Sequence, residues 1–417
     1  MFSKVYRGGY KTSMFNIKSI PFPYRAMLSV CSDLDETANA ATYFDTMRFL
    51  NTSESTQHGR GVELEVGNTL YFDMPTDQFS YSNTDDLGRE KLHQLIHSGH
   101  IDCIHSFGDH VRSRSRVQEI LAELQAHNSR MQVWIDHAIA PTNLDNDIMQ
   151  GQGNQPGAEA YHADLSRHYG IRYVWLGRVT SVIGQDVQRR LAGIWDSRCP
   201  LQSAVTLGKE TLKGWLPRLG RPKYQMHVDN RILRPIQLAD GGSVWEFLRC
   251  NPSPWGVSMH ETGDGFATAM TAKFLNRLVK RGGKSIVYTH LGKLKNVDNT
   301  FTADAVAAWQ RLKEFQRREQ VLVCTTRRLL DFTLMTETIT VTHETPSDTL
   351  IIDIDNPQQL PLDGLSLTTS QSLSRFTNVE IRVNEQTDPR FQIQPQGEKT
   401  LIYLPWQPLP FPALAVS

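Results

Sequence analysis

The segment 101–110 (IDCIHSFGDH) joins a short apolar strand, Ile101-Asp102-Cys103-Ile104, to a polar cluster. His105 ends the strand and Asp109 follows four residues later. A buried strand that stops at a histidine and a carboxylate is a common way of holding a divalent metal. The strand fixes the first ligand and the next turn returns the second. With a third protein ligand, one coordination position stays open for water, as a catalytic metal requires. Two more carboxylates, Asp33 and Asp35, stand just past another apolar run at 24–32. In extended backbone they share one side, so one could ligate a metal while the other serves as base. Strand-like runs also end at Asp136-His137 and at His290. A plainer explanation exists for each group. Asp33 or Asp35 would cap the helix that follows, and His105 would bond the chain while Ser106 or Asp109 caps the next helix.

The elements needed to position these groups are legible as alternating patterns. Apolar runs at 24–32, 101–104, 131–135, 171–175, 224–228, 285–289 and 321–324 read as strands, with a weaker one at 255–259. Helical spacing marks 38–50, 87–98, 113–127, 158–169, 266–281, 303–320 and 327–335. Residues 61–74, with Gly67-Asn68, read as a hairpin or two short strands. The Gly-, Asn- and Asp-rich stretch 141–157 reads as a long loop, a type that is often functional. Strand, polar end, loop and amphipathic helix in alternation predict an α/β fold, an irregular (β/α) barrel of about seven parallel strands with its site at the strands' C-terminal ends. An open doubly wound sheet is the alternative, although no strand leads into a phosphate-binding loop. After residue 336 the helical patterns vanish and short alternating strands take over. The expected domains are therefore 1–335, the barrel, and 336–417, a small C-terminal all-β domain, a sandwich by default.

Composition excludes several classes of function. The 417 residues are 39% hydrophobic and 21% charged, with zero net charge, so no overall basic field attracts nucleic acid. Five widely spaced cysteines form no CxxC pair and fit a reducing compartment better than a disulfide framework. The N-terminus lacks an apolar h-region, and no window reaches the ~18–20 apolar residues of a membrane span. The expectation is a soluble cytoplasmic protein with no membrane span and no nucleic-acid partner.

An Asp pair after the first strand, a strand ending in His105-Ser106-Phe107-Gly108-Asp109, and a late strand ending in His290 follow one another in an order that resembles the metal-dependent polysaccharide deacetylases of the NodB-homology type. That family's second motif is His-Ser/Thr-x-x-His/Asp. The resemblance spans roughly residues 24–331, and its irregular (β/α) barrel agrees with the strand pattern. It implies that Asp35, His105 and Asp109 hold a divalent metal, Zn²⁺ first, with Mn²⁺, Co²⁺ or Ni²⁺ as alternatives for so hard a ligand set. It implies Asp33 as the base that takes the water's proton, and His290 as the acid that protonates the leaving amine. By their strand-end positions, Asp136 is expected to orient His290 and His137 to be a further site residue. Trp134, Trp175 and Trp255, near strand ends, are expected either to stack on the substrate, an N-acetylated sugar or related amide, or to serve as packing. The chain departs from the family in three ways. Leu34 separates the two Asp residues. Asp109 stands where a histidine is commoner, with His110 beside it as a possible substitute. Trp134-Ile135-Asp136-His137-Ala138 replaces an Arg-x-Pro-Tyr motif.

Other candidates carry plainer expectations. His162 and His168 read as surface residues of a short helix, His227 and His260 as minor candidates beside the rim, and Arg172 and Arg178 as binders of an acidic sugar or partners of surface carboxylates. The competing functions are a non-catalytic carbohydrate- or protein-binding barrel and a metal-free glycoside hydrolase with two carboxylates.

Overall fold

The computed structural model describes residues 14–33, 37–137, 140–188, 195, 200–220, 224–252 and 262–414. The chain divides into two compact units, one of Pro23–Leu330 with Pro408–Ser417, the other of Met1–Phe22 with Asp331–Gln407. The division falls near the change of texture in the sequence. The N-terminal residues group with the C-terminal ones because Asn16–Ile17 adds an antiparallel strand to Ser366–Thr369.

The larger unit is built on a curled, half-barrel sheet. Its described order is Leu233–Gln237, Ser243–Phe247, Tyr173–Trp175, Val133–Ile135, Ile101–His105, Asn68–Leu70, Ala26–Ser32, Lys284–Thr289, Arg249–Cys250 and Val179–Thr180, with Val321–Val323 also on Ala26–Ser32. Only the first of these pairs antiparallel with its neighbour. Every residue of Ala26–Ser32 and of Ile101–His105 is buried, as expected of parallel strands covered on both faces. The register sets Thr289 beside Ser32, and His105 and Ile135 beside each other, with Trp175 next. The polar strand ends therefore gather along one edge.

The helices that cover the sheet are started by residues other than the suspected site groups. Asn39 caps Ala40–Asn51, its Oδ1 accepting from Thr42 N at 2.9 Å. Ser113 caps Arg114–Ala126 through Arg116 N. Neither Asp33 nor Asp109 is thus needed as a helix cap. Asp85 caps Asp86–His97, its Oδ1 accepting from Gly88 N.

Three local expectations change. Residues 224–228 are not a strand; Gln225–Asp229 is a short helix, because His227 turns inward to the buried carboxylate of Glu210. Asp229 therefore ends no strand and instead meets the Gln225 amide at 3.1 Å. The helix expected over 266–281 breaks after Phe266–Ala269, and Thr271 caps a second helix, Ala272–Arg281, accepting from Phe274 N. In 61–74 only Asn68–Leu70 is a strand, lying between Ala26–Ser32 and Ile101–His105 rather than in a hairpin. The weak strand at 255–259, with His260, lies outside the described residues.

The smaller unit holds two four-stranded sheets. One is antiparallel throughout. In the other, Thr349–Asp355 and Asn378–Val383 run parallel. Among the described residues, no helix is long and apolar enough to cross a membrane.

Candidate functional site

Asp33 leaves the end of its strand with its N–H donating to Thr289 O at 2.9 Å. Its buried carboxylate meets the Arg249 guanidinium at 3.2 Å (Nη2 to Oδ1) and 3.4 Å (Nη1 to Oδ2), and its Oδ2 lies 3.7 Å from His105 Nε2. Arg249 is fully buried. Its Nη2 also donates to Cys31 Sγ at 3.1 Å, and the guanidinium lies over the rings of Trp175 and Tyr288, 4.1 and 4.7 Å from their centroids. Burial works against this charge, but the Asp33 carboxylate prevails and holds the guanidinium more firmly protonated than in water. An ion pair and two aromatic faces together make such a buried charge tolerable.

His105 is equally buried. Tyr71 stacks on it at 4.4 Å and His137 meets it edge-on at 5.0 Å. Burial, reinforced by the positive charges available on His137, Arg249 and His290, pushes its pKa well below the ordinary histidine value. The ring is therefore neutral at physiological pH, the form that ligates metals. Its Nδ1 is buried without a hydrogen-bond partner.

The chain makes an unusual turn immediately after His105. Ser106, Phe107 and Gly108 have φ of 49°, 61° and 104°, three successive left-handed residues of which only the last is a glycine. Such strain persists where surroundings over-determine it. Here Phe107 O accepts from both Phe72 N and Asp73 N, Ser106 N donates to Ile135 O at 3.0 Å, and Thr142 Oγ1 donates to Ser106 O. The Phe107 ring is wedged against Trp134 and His162. At Gly108 a side chain would collide with the Asp73 backbone. The turn aims Asp109 back toward the site, where its carboxylate takes the His137 Nδ1 at 2.8 Å. That bond holds Asp109 below the usual carboxylate range. His110 is exposed and its backbone N–H donates to Asp73 O, so Asp109 is the group brought to the site.

His290 is buried at the end of Lys284–Thr289, with Tyr288 Oη 2.8 Å from its Nε2. Leu291 N donates to Ser32 Oγ and Gly292 packs on Thr37, which holds the turn after His290 beside the strand of Asp33. Asp136 has a different role from the one expected. Its carboxylate accepts from Trp134 Nε1 (2.6 Å), Leu144 N (2.8 Å) and Asp145 N (2.9 Å). Burial pushes its pKa up to about 7 against the pull of those donors. Asp136 thus anchors the loop 141–157 rather than orienting His290.

Of the site residues expected from sequence, the edge gathers Asp33, His105, Asp109, His137, His290 and Trp175. Trp134 is wholly buried, packed on Phe107 and His162, and faces no substrate space. Asp35 and Trp255 lie outside the described residues. His162 is not a surface residue. Its Nε2 meets Thr142 O at 2.7 Å and its Nδ1 meets Ser166 Oγ at 2.8 Å, so it pins the loop that bonds Ser106. Arg178 is likewise internal, paired with buried Glu246. Arg249, Tyr71 and Tyr288 were not anticipated. The one available signal was an arginine inside the largely apolar stretch 244–250.

Among the described residues, His105 and Asp109 are of the kinds that ligate a divalent cation. The imidazole is neutral with a buried unpaired nitrogen, and the carboxylate is ionised. A second group, His93, Glu123 and His127, brings three potential ligand atoms within 4.8 Å. The rings of His93 and His127 stack face to face, 4.0 Å apart and 14° from parallel. Their in-plane lone pairs cannot meet at one ion in that arrangement. Tyr81 and Ser129 also take both nitrogens of His93.

No protein-family model matches the chain, and no curated protein matches it significantly.

Proposed function

We propose that the protein is a metal-dependent hydrolase that removes an acetyl or related acyl group from an N-acylated sugar, in the manner of the polysaccharide deacetylases its motifs resemble. The observation that carries this reading is the meeting of Asp33, His105, Asp109 and His290, residues from three separate strands, at one edge of the sheet. On this reading the curled parallel sheet corresponds to the irregular (β/α) barrel of about seven strands that such deacetylases share. The four described cysteines are all free, which supports a cytoplasmic location.

His105, Asp109 and Asp35 would hold the metal. When bound, it polarises the acyl carbonyl and lowers the pKa of a water molecule. Asp33, oriented by the two-pronged contact of Arg249, takes the proton of the attacking water. His290, oriented by Tyr288, returns a proton to the nitrogen as the amine leaves. His137 steadies Asp109, and Tyr71 covers one face of His105 and keeps water from it. Trp175 and Tyr288 wall the guanidinium that separates this chemistry from the core.

Acetate release from N-acetylglucosamine oligomers tests the proposal. Asp33→Asn is expected to lower kcat by roughly 10²–10⁴-fold while retaining the metal, the signature of a lost general base. His105→Ala is expected to lose both. A wild-type protein that is folded and metal-loaded yet inert on N-acylated sugars would overturn the reading.

A further inference from the structure

The helix Pro200–Trp215, continued by the turn Leu216–Leu219, is built inside out. Leu201, Leu212, Trp215 and Leu219 are 84%, 64%, 58% and 71% exposed. At 3.6 residues per turn, Leu201, Gly208, Leu212 and Trp215 fall within an arc of about 60°. Nothing stands near the position a side chain on Gly208 would take. The helix's acid, Glu210, lies on the opposite side and is buried. It accepts from Ser181 N and faces Lys213 and His227. Lys213 Nζ in turn donates to Val179 O at 2.6 Å. These polar ties fix the helix's rotation, so the apolar stripe is held outward by construction.

The charges around the stripe indicate what it meets. Residues 200–220 contain three basic side chains and one acid, and that acid is turned inward. Lys209 and Arg218 are exposed and flank the stripe on its two sides, with the Arg218 guanidinium 5.8 Å from the Trp215 ring centroid. Leucines and a tryptophan bordered by cations, with long basic side chains able to reach upward past the apolar line, match an anionic lipid surface. A second copy fits less well. Pairing two such faces would oppose like charges, and one helix face of this length offers on the order of 300 Å², well below the ~800 Å² per partner of a stable interface.

We propose that Pro200–Leu219 lies on an anionic lipid surface, with Leu201, Leu212, Trp215 and Leu219 in the acyl boundary and Lys209 and Arg218 at the headgroups. This attaches the protein to a membrane without spanning it, and it is independent of the hydrolase reading. The helix is tied through Lys213 and Glu210 to residues 179–181, and Val179–Thr180 is the strand paired with Arg249. Flotation of the full chain with vesicles tests it, using phosphatidylcholine alone and phosphatidylcholine with roughly a third phosphatidylglycerol. The expected result is flotation with the anionic vesicles only, weakening as salt rises. Leu212→Glu/Trp215→Glu and, separately, Lys209→Glu/Arg218→Glu should each bind about tenfold or more weakly with unchanged Tm. The proposal is overturned if the wild type stays unbound to anionic vesicles. It is also overturned if both double variants float as the wild type does, or if light scattering finds a dimer that Leu212→Glu/Trp215→Glu dissociates.

Discussion

Asp33 and Arg249 form the most consequential pair in the molecule. They are 216 positions apart in sequence and fully interdependent in space. Removing one partner strands the other charge in the interior, which costs about 3–5 kcal/mol, whereas removing both leaves little to penalise. In urea unfolding, Arg249→Met should therefore be severely destabilised and Asp33→Asn/Arg249→Met should recover most of the loss. Additive single effects would show that the pair is not coupled. At this scale the sequence was informative about residue type and poor about partners. His105 and His290 could be singled out because each ends an apolar run, and Asp109 because it follows His105 by four residues; strand ends of a parallel sheet share an edge. Arg249 could be noticed as a charge in an apolar run but not assigned to Asp33, since nothing local encodes a contact across the sheet. Trp134 and Asp136 were misread for a related reason. Both sit at a strand end, but the Trp134 indole turns into the core and donates to Asp136, which is taken up by the loop it anchors.

At the scale of elements, the turn after His105 and the loop 141–157 act together. Gly108 is needed both for its φ of 104° and for its close approach to the Asp73 backbone. Gly108→Ala should cost roughly 2–3 kcal/mol and, by displacing Asp109, should lower metal affinity more than Tm. Full metal affinity in this variant would argue that Asp109 is no ligand. The loop is held from beneath by His162, whose burial lowers its pKa from the ordinary 6.5 to about 4. A histidine kept neutral in the folded state contributes stability that is complete above pH 6.5 and is lost as pH falls toward 4, in total roughly 3 kcal/mol. The stability difference between wild type and His162→Asn, measured by urea unfolding across this range, should therefore shrink as pH falls. A difference independent of pH would contradict the assignment. Sequence patterning found the loop and the short helix after it, but read His162 as exposed. Its position at the helix start, facing back to Thr142 and Gly153, depends on how the loop folds and not on helical spacing.

For the whole molecule, periodicity sufficed for the class of fold, a parallel sheet with helices followed by a strand-rich region. It failed where tertiary contacts outweigh local preference. Gln225–Asp229 is a helix where a strand is expected because His227 and Glu210 find each other, and Asn16–Ile17 belongs with the C-terminal sheets because a two-residue edge strand has no signal of its own. If the edge holding Asp33, His105, Asp109 and His290 is a metal-dependent hydrolytic centre, as proposed, the chain must bind a metal there. The most direct measurement is the metal content of the purified chain after incubation with Zn²⁺ and removal of excess ion, compared with that of His105→Ala at matched circular dichroism. About one tightly held metal per wild-type chain and almost none in the variant are expected. A folded wild-type chain that retains no metal, or a variant that retains as much, would contradict it.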